Sequence, residues 1–217
     1  MASRNLSQKW VIYALFAGAL LFLLTMVSCD SKTNTDVDSM SEISQSENAG
    51  IDQFWMNLKE ICGQSFSGTV VKAATNDTTF AGKALIMDVR LCKEDEIRIP
   101  FTVGEDRSRT WVLRKVNDRI LLKHDHRHQD GSEDRITQYG GMSTNTGSET
   151  RQIFPADQET VDLIAYAAGN IWWVELEKGV HFVYNLKRIG TDREFSVSFD
   201  LTTPIEQPDA PWGWEFD

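Results

Sequence analysis

The chain has 217 residues, with 22 Lys and Arg against 32 Asp and Glu, and a formal net charge of −10 at pH 7. That length suits one domain of roughly 100–200 residues with a real hydrophobic core. So acidic a body repels nucleic acid and anionic lipid, and neither is expected as a partner.

The first ten residues carry Arg4 and Lys9 and no acid, and Val11 to Val27 is a run of seventeen uncharged residues. A basic head, an apolar stretch and a small residue before a cut site are the features of a secretory signal. The run is also close to the lower limit for a membrane-spanning helix. Either way the basic end stays in the cytoplasm and the rest crosses the membrane.

Met26-Val27-Ser28-Cys29 resembles a bacterial lipobox. The resemblance implies a signal peptide over residues 1–28, cleavage before Cys29, and acylation of that cysteine, palmitate included. It places the mature domain outside the cytoplasm, in the cell envelope, lipid-anchored to a bacterial membrane. Each buried methylene of an acyl chain contributes roughly 0.8 kcal/mol, so several chains hold where one would be marginal. An uncleaved anchor and a plain secreted protein are the alternatives. Asp30 resembles the signal that keeps lipoproteins of enteric bacteria in the inner membrane; other phyla do not obey that rule, so the choice of membrane stays open. Removing residues 1–28 takes away Arg4 and Lys9 and leaves a net charge of −12.

Residues 29–50 read as a lipidated, flexible tether. From Asp30 to Gly50 there is no aromatic residue, and only Val37, Met40, Ile43 and Ala49 are apolar. Such a segment cannot bury enough surface to fold. Residues 51–217 then form a single β-rich domain. Ile51, Phe54, Trp55, Leu58 and Ile61 recur at helical spacing, with Gly63 as the stop. Cys62 and Cys92 remain once Cys29 is acylated, and in an oxidising compartment a disulfide between them is expected, with two separate buried thiols as the alternative.

Beyond Ser65 the period shifts to two. Leu85, Met87, Val89 and Leu91 alternate with Ile86, Asp88 and Arg90, and the same period runs through Ile97 to Val103, Val180 to Leu186, and Phe195 to Leu201. These are half-buried antiparallel strands. Turn signals separate them at Asn76-Asp77, Asn117-Asp118, Asp130-Gly131, Lys178-Gly179 and Gly190-Thr191. Pro155-Ala156-Asp157 opens a short helix or lid that ends near Ala168. The tail from Pro204 to Asp217 carries Trp212 and Trp214, which are expected to pack against the body. The fold class is mainly β: a single antiparallel β-barrel or a sandwich with a short N-terminal helix. In outline, a short helix followed by a meander resembles the lipocalin-type barrels, although Phe66-Ser67-Gly68-Thr69 stands where those carry Gly-x-Trp. The stretch from Lys123 to Gly141 resembles uncharacterised secreted bacterial proteins, a likeness that brings no activity with it.

One constellation carries chemistry. His124, His126 and His128 alternate with Asp125 and Arg127, so on a strand the three imidazoles share a face. Ile120 and Leu122 have the same parity, which turns that face toward the interior, while Lys123, Asp125 and Arg127 face water. Neighbours on one face lie ~6.5–7 Å apart, and two imidazoles at that spacing can converge on one metal ion. Asp130 offers a carboxylate at the adjacent turn. The ligand types suit zinc or copper. The same residues equally suit a pocket for a small polar ligand, or plain hydrogen-bonded structure. His181 has the opposite parity to its apolar neighbours and is expected to face outward.

Other features add options. Arg107 and Arg109 lie in a charged turn that is either salt-bridged or an anion-recognising rim. Trp172-Trp173 puts one indole on each face of a strand. The sequence carries no nucleophile motif, phosphate loop or dinucleotide fingerprint, so it names no catalytic set. The functional expectation is a membrane-anchored lipoprotein that binds a small ligand or a divalent metal in the envelope. The alternative is a non-catalytic structural or protein-interaction module docking on an envelope protein.

Overall fold

The computed structural model describes residues 50–144 and 147–216. The signal segment, Cys29 and the tether up to residue 49 lie outside the described residues. Helix α1 covers residues 50–60 and ends at Gly63, whose φ of 77° suits a residue without a Cβ. Eleven strands follow. These are β1 (Ser65–Lys72), β2 (Leu85–Asp88), β3 (Leu91–Cys92), β4 (Glu96–Val103), β5 (Asp106–Val116) and β6 (Arg119–His126). After them come β7 (Tyr139–Met142), β8 (Arg151–Pro155), β9 (Asn170–Glu177), β10 (His181–Arg188) and β11 (Glu194–Asp200). A short helix α2 (Gln158–Leu163) and a 3-10 turn at Ala165–Ala167 lie between β8 and β9.

All pairings are antiparallel, in the order β7-β6-β5-β4-β2-β1-β11-β10-β9-β8, with β3 also on β4. Nearly every strand pairs with its neighbours in sequence, and β1 pairs with β11. The meander therefore curls round into a nearly closed barrel rather than a sandwich. Its seam lies between β7 and β8. Irregular bonds bridge it: Thr144 N–H donates to the Ile153 carbonyl (3.1 Å) and Asp157 N–H to the Gly140 carbonyl (3.0 Å).

The alternating residues read from the sequence fill the interior. Ile97, Ile99, Phe101 and Val103 are buried, as are Phe182, Tyr184, Leu186, Phe195, Val197 and Phe199. Burying a large apolar side chain contributes roughly 1.5–3 kcal/mol, so these rows dominate the stability.

Helix α1 plugs one end of the barrel. Ile51, Phe54, Trp55, Leu58 and Ile61 all sink into the core. Around them, polar contacts pin the helix to successive hairpins. Trp55 Nε1–H donates to the Glu94 carbonyl (2.9 Å), Lys178 pairs with Glu60 (2.7 Å), and Lys115 pairs with Asp52. Cys62 and Cys92 form the expected disulfide, which ties the chain just past α1 to β3. Among the described residues, no helix is long and apolar enough to cross a membrane.

The C-terminal segment runs back along the outside. Arg90 donates to the Pro208 carbonyl, Gln207 donates to Asp88, and Trp212 N–H donates to the Arg107 carbonyl. Trp214 packs under the Arg90 guanidinium, 5.7 Å from ring centre, so the tail docks through its aromatics as its composition suggests.

Candidate functional site

The end of the barrel opposite α1 holds a cavity of about 190 Å³. Strand pairing builds its wall in rows. Trp111, His124 and Tyr139 are directly opposite one another on β5, β6 and β7. Across the lumen, Trp172, Leu186 and Phe195 form the matching row on β9, β10 and β11. One row nearer the mouth, Arg109 faces His126, and Asn170 faces Arg188. Ile164, Tyr166 and Ala167, from the segment after α2, close one side. Tyr166 is 67% exposed, so the cavity reaches the surface beside it.

His124 lies in this wall and is 3% exposed. Its Nδ1 is 2.9 Å from the Tyr139 carbonyl, which can only accept, so Nδ1 carries the proton. Its Nε2, 2.7 Å from the Tyr184 hydroxyl, therefore accepts from that O–H. Burial holds the imidazole neutral, with its pKa pushed down to about 3. The same burial raises the Tyr184 pKa and pushes that of Tyr139 up to about 12. Tyr139 stacks on His124 at 4.5 Å between ring centres, and its hydroxyl shares a 3.0 Å hydrogen bond with His126 Nε2. His126 sits higher and is half-buried; burial, and then the charge of Arg109, lower its pKa.

The structure thus brings His124 and His126 to one cavity and leaves the other expected ligands out of it. Strand β6 ends at His126; Arg127 N–H still donates to the Ser108 carbonyl of β5 (2.9 Å), and its other edge bridges to Glu133 as the chain turns. His128 is exposed in the following turn, its N–H donating to the Ser132 carbonyl (2.8 Å). Asp130 is exposed too, and accepts from the Ser132 N–H (2.9 Å) and hydroxyl (2.6 Å), which hold its pKa low. Both His124 nitrogens are engaged, and among the described residues no three His, Cys, Asp or Glu side chains are grouped to hold a metal ion.

The outward parity of Lys123 and Asp125 is correct, but both are only 6% exposed, because α2 and the β6–β7 loop cover that face. His181 points outward, near Glu177. Of the two arginines in the charged turn, Arg107 holds the tail through Asp209 (3.2 Å) and the Ala210 carbonyl. Arg109 lines the cavity. Trp172 is the inward indole and lines it too; Trp173 lies outside against Glu175. Arg188 and Arg193 also line the cavity, and no motif in the sequence marks them. Arg188 continues the inward parity of Phe182, Tyr184 and Leu186, which was the signal available for it.

No family model matches the chain, and no curated protein or solved structure matches it either.

Proposed function

We propose that the chain is an exported lipoprotein, anchored through Cys29, whose barrel binds a small organic ligand at its mouth. The observation that carries the binding reading is the cavity itself. A barrel plugged by α1 at one end keeps about 190 Å³ of space at the other, walled by aromatic rings and a few polar groups. That composition is the usual one for a small-molecule site. An apolar cavity of roughly 150 Å³ accommodates benzene, so a single-ring body fits here. The lipobox-like Met26-Val27-Ser28-Cys29 supports the anchoring half.

Trp111 and Trp172 line the cavity and supply an internal probe. Titration of the purified protein with 2-phenylethanol should change the tryptophan emission saturably, with one site and a Kd of about 1 mM or tighter. A strictly linear response up to the solubility of the alcohol overturns the binding reading. Mass spectrometry of the mature N-terminus tests the anchor separately: an uncleaved chain with unmodified Cys29 contradicts it.

A further inference from the structure

The charges around the cavity do not resemble those of the chain. The chain carries ten more acidic than basic residues, yet the described residues lining the cavity include Arg109, Arg188 and Arg193 and no carboxylate. Only the first is neutralised by a partner, with Asp106 at 2.5 Å. Arg188 donates through Nε to the neutral Asn170 (2.8 Å) and lies over the Tyr166 ring at 4.8 Å. Among the described residues, no carboxylate pairs with its guanidinium. The Arg193 side chain, exposed at the mouth, lines the cavity and has no hydrogen-bond or ion-pair partner among the described residues. The carboxylates that act on His126 lie outside the lining: Asp106 pairs with Arg109, Asp125 with Arg98 and Arg127, and Asp134 accepts from the Ile136 N–H at 2.7 Å.

These charges sit in order along the barrel axis. The deep row is aromatic and neutral: Trp111, His124, Tyr139 and Trp172. The row toward solvent carries the guanidinium groups. We infer that the ligand is a small organic anion with a planar apolar body, whose ring enters the aromatic row while its acid group is gripped at the rim by Arg188 and Arg193. A planar guanidinium meets a carboxylate through two parallel N–H···O bonds, which an ammonium cannot do, and arginine also stacks on rings such as Tyr166. This inference rests on the ligand-pocket reading above and adds the ligand's charge class to it.

The test compares three probes of nearly equal shape on the full chain in mild detergent: phenylacetate, 2-phenylethanol and 2-phenylethylammonium, read by tryptophan emission. The acid should bind at least about tenfold tighter than the alcohol, and the ammonium weaker than both. Arg188→Met combined with Arg193→Met should bring the acid-to-alcohol affinity ratio down to about one. A salt series on the wild-type protein gives the same answer without any variant: rising NaCl should weaken the acid and not the alcohol. Equal binding of acid and alcohol overturns the inference and leaves the pocket standing. Acid preference that survives the double substitution overturns the assignment of the two arginines. Saturable binding of none of the three overturns the pocket, and with it the inference.

Discussion

His124 and Tyr184 meet across the barrel lumen, Nε2 to hydroxyl at 2.7 Å, although their strands β6 and β10 are not neighbours in the sheet. The bond joins opposite walls of the cavity, which both residues line. Each partner is buried, at 3% and 6% exposed, so loss of one leaves the other's polar atom with little access to water. Tyr184→Phe should leave the His124 nitrogen unsatisfied and cost about 1–3 kcal/mol of stability. Urea unfolding of the two proteins measures it. A loss within a few tenths of a kcal/mol means that the hydroxyl does not serve His124.

The same buried imidazole predicts a pH dependence. In the folded chain its pKa falls to about 3, against 6.5 in the unfolded chain. Between those values the unfolded chain binds the proton and the folded one does not. The contribution is therefore fully present above about pH 6.5 and is lost as pH falls, with a slope approaching ~1.4 kcal/mol per pH unit. His126 shifts in the same direction. Glu96, Asp106 and Asp157 have lowered pKa values and lose their contributions only as pH falls through about 4 and below. Asp88 is raised by burial and works in the opposite sense. Unfolding at pH 7, 6 and 5 should show the decline, and His124→Gln should flatten most of it. An unchanged slope in that variant assigns the decline to other groups.

Much of this arrangement was legible in the chain because it depends on parity alone. Ile120, Leu122, His124 and His126 share a face, and that face is the interior. The alternation and short turns point to a barrel or a sandwich; the pairing of β1 with β11, which no local signal marks, makes it a nearly closed barrel. Where a strand stops is a different matter. Asp130-Gly131 signals a turn but not where β6 stops; His128 is already part of that turn, bonded to Ser132 and Gly131, which leaves it outside. The burial of Lys123 was equally hidden, since its cover comes from α2, more than thirty residues away in the sequence. Arg188 and Arg193 become site residues only when the β10–β11 hairpin closes opposite β5 and β6.

The disulfide gives the third prediction. It links residues 30 apart and secures the chain leaving α1 to β3. In the chain-entropy account, closing a loop of that length contributes about 3–4 kcal/mol. Cys62→Ser combined with Cys92→Ser should lower the urea midpoint accordingly, and reductant should do the same to the wild-type protein while leaving the double variant unaffected. A variant as stable as the oxidised parent contradicts the assignment.

Beside its two bridging hydrogen bonds, the seam of the barrel contains a close backbone approach. At Gly141 on β7, an added Cβ would lie 1.8 Å from the Pro155 carbonyl oxygen of β8. Backbone on both sides leaves no flexible side chain to yield. Gly141→Ala must push the seam apart, at a cost of about 1–3 kcal/mol or more. Amide exchange should rise at β7 and β8 before it rises elsewhere. A stable variant with an unchanged exchange pattern shows that the seam is looser than this packing implies.

Lys123 offers a way to loosen the cavity wall without touching its lining. Its side chain leaves β6 on the outer face and reaches Asp157 (2.9 Å) and Glu159 (2.5 Å), at the start of α2. Burial alone would lower its pKa; Glu159 and Asp157 more than offset this, and the amine stays charged with its pKa raised. Asp157 also caps α2 by accepting from the Thr160 N–H (2.8 Å), so the lysine steadies a carboxylate that is already part of the helix start. From there the chain leads directly into Ile164, Tyr166 and Ala167, which line the cavity. Lys123→Met keeps the length and the packing and removes the charge. Glu159 is mostly exposed and Asp157 partly so, and both can return to water, which limits the global cost to about 1 kcal/mol. The local effect should be larger. Hydrogen exchange across residues 157–168 should accelerate, while β9 to β11 keep their protection, and any ligand held in the cavity should dissociate faster. Uniform loss of protection across the barrel would make Lys123 a general stabiliser, and unchanged exchange at residues 157–168 would show that α2 is held by Thr160 and the seam alone.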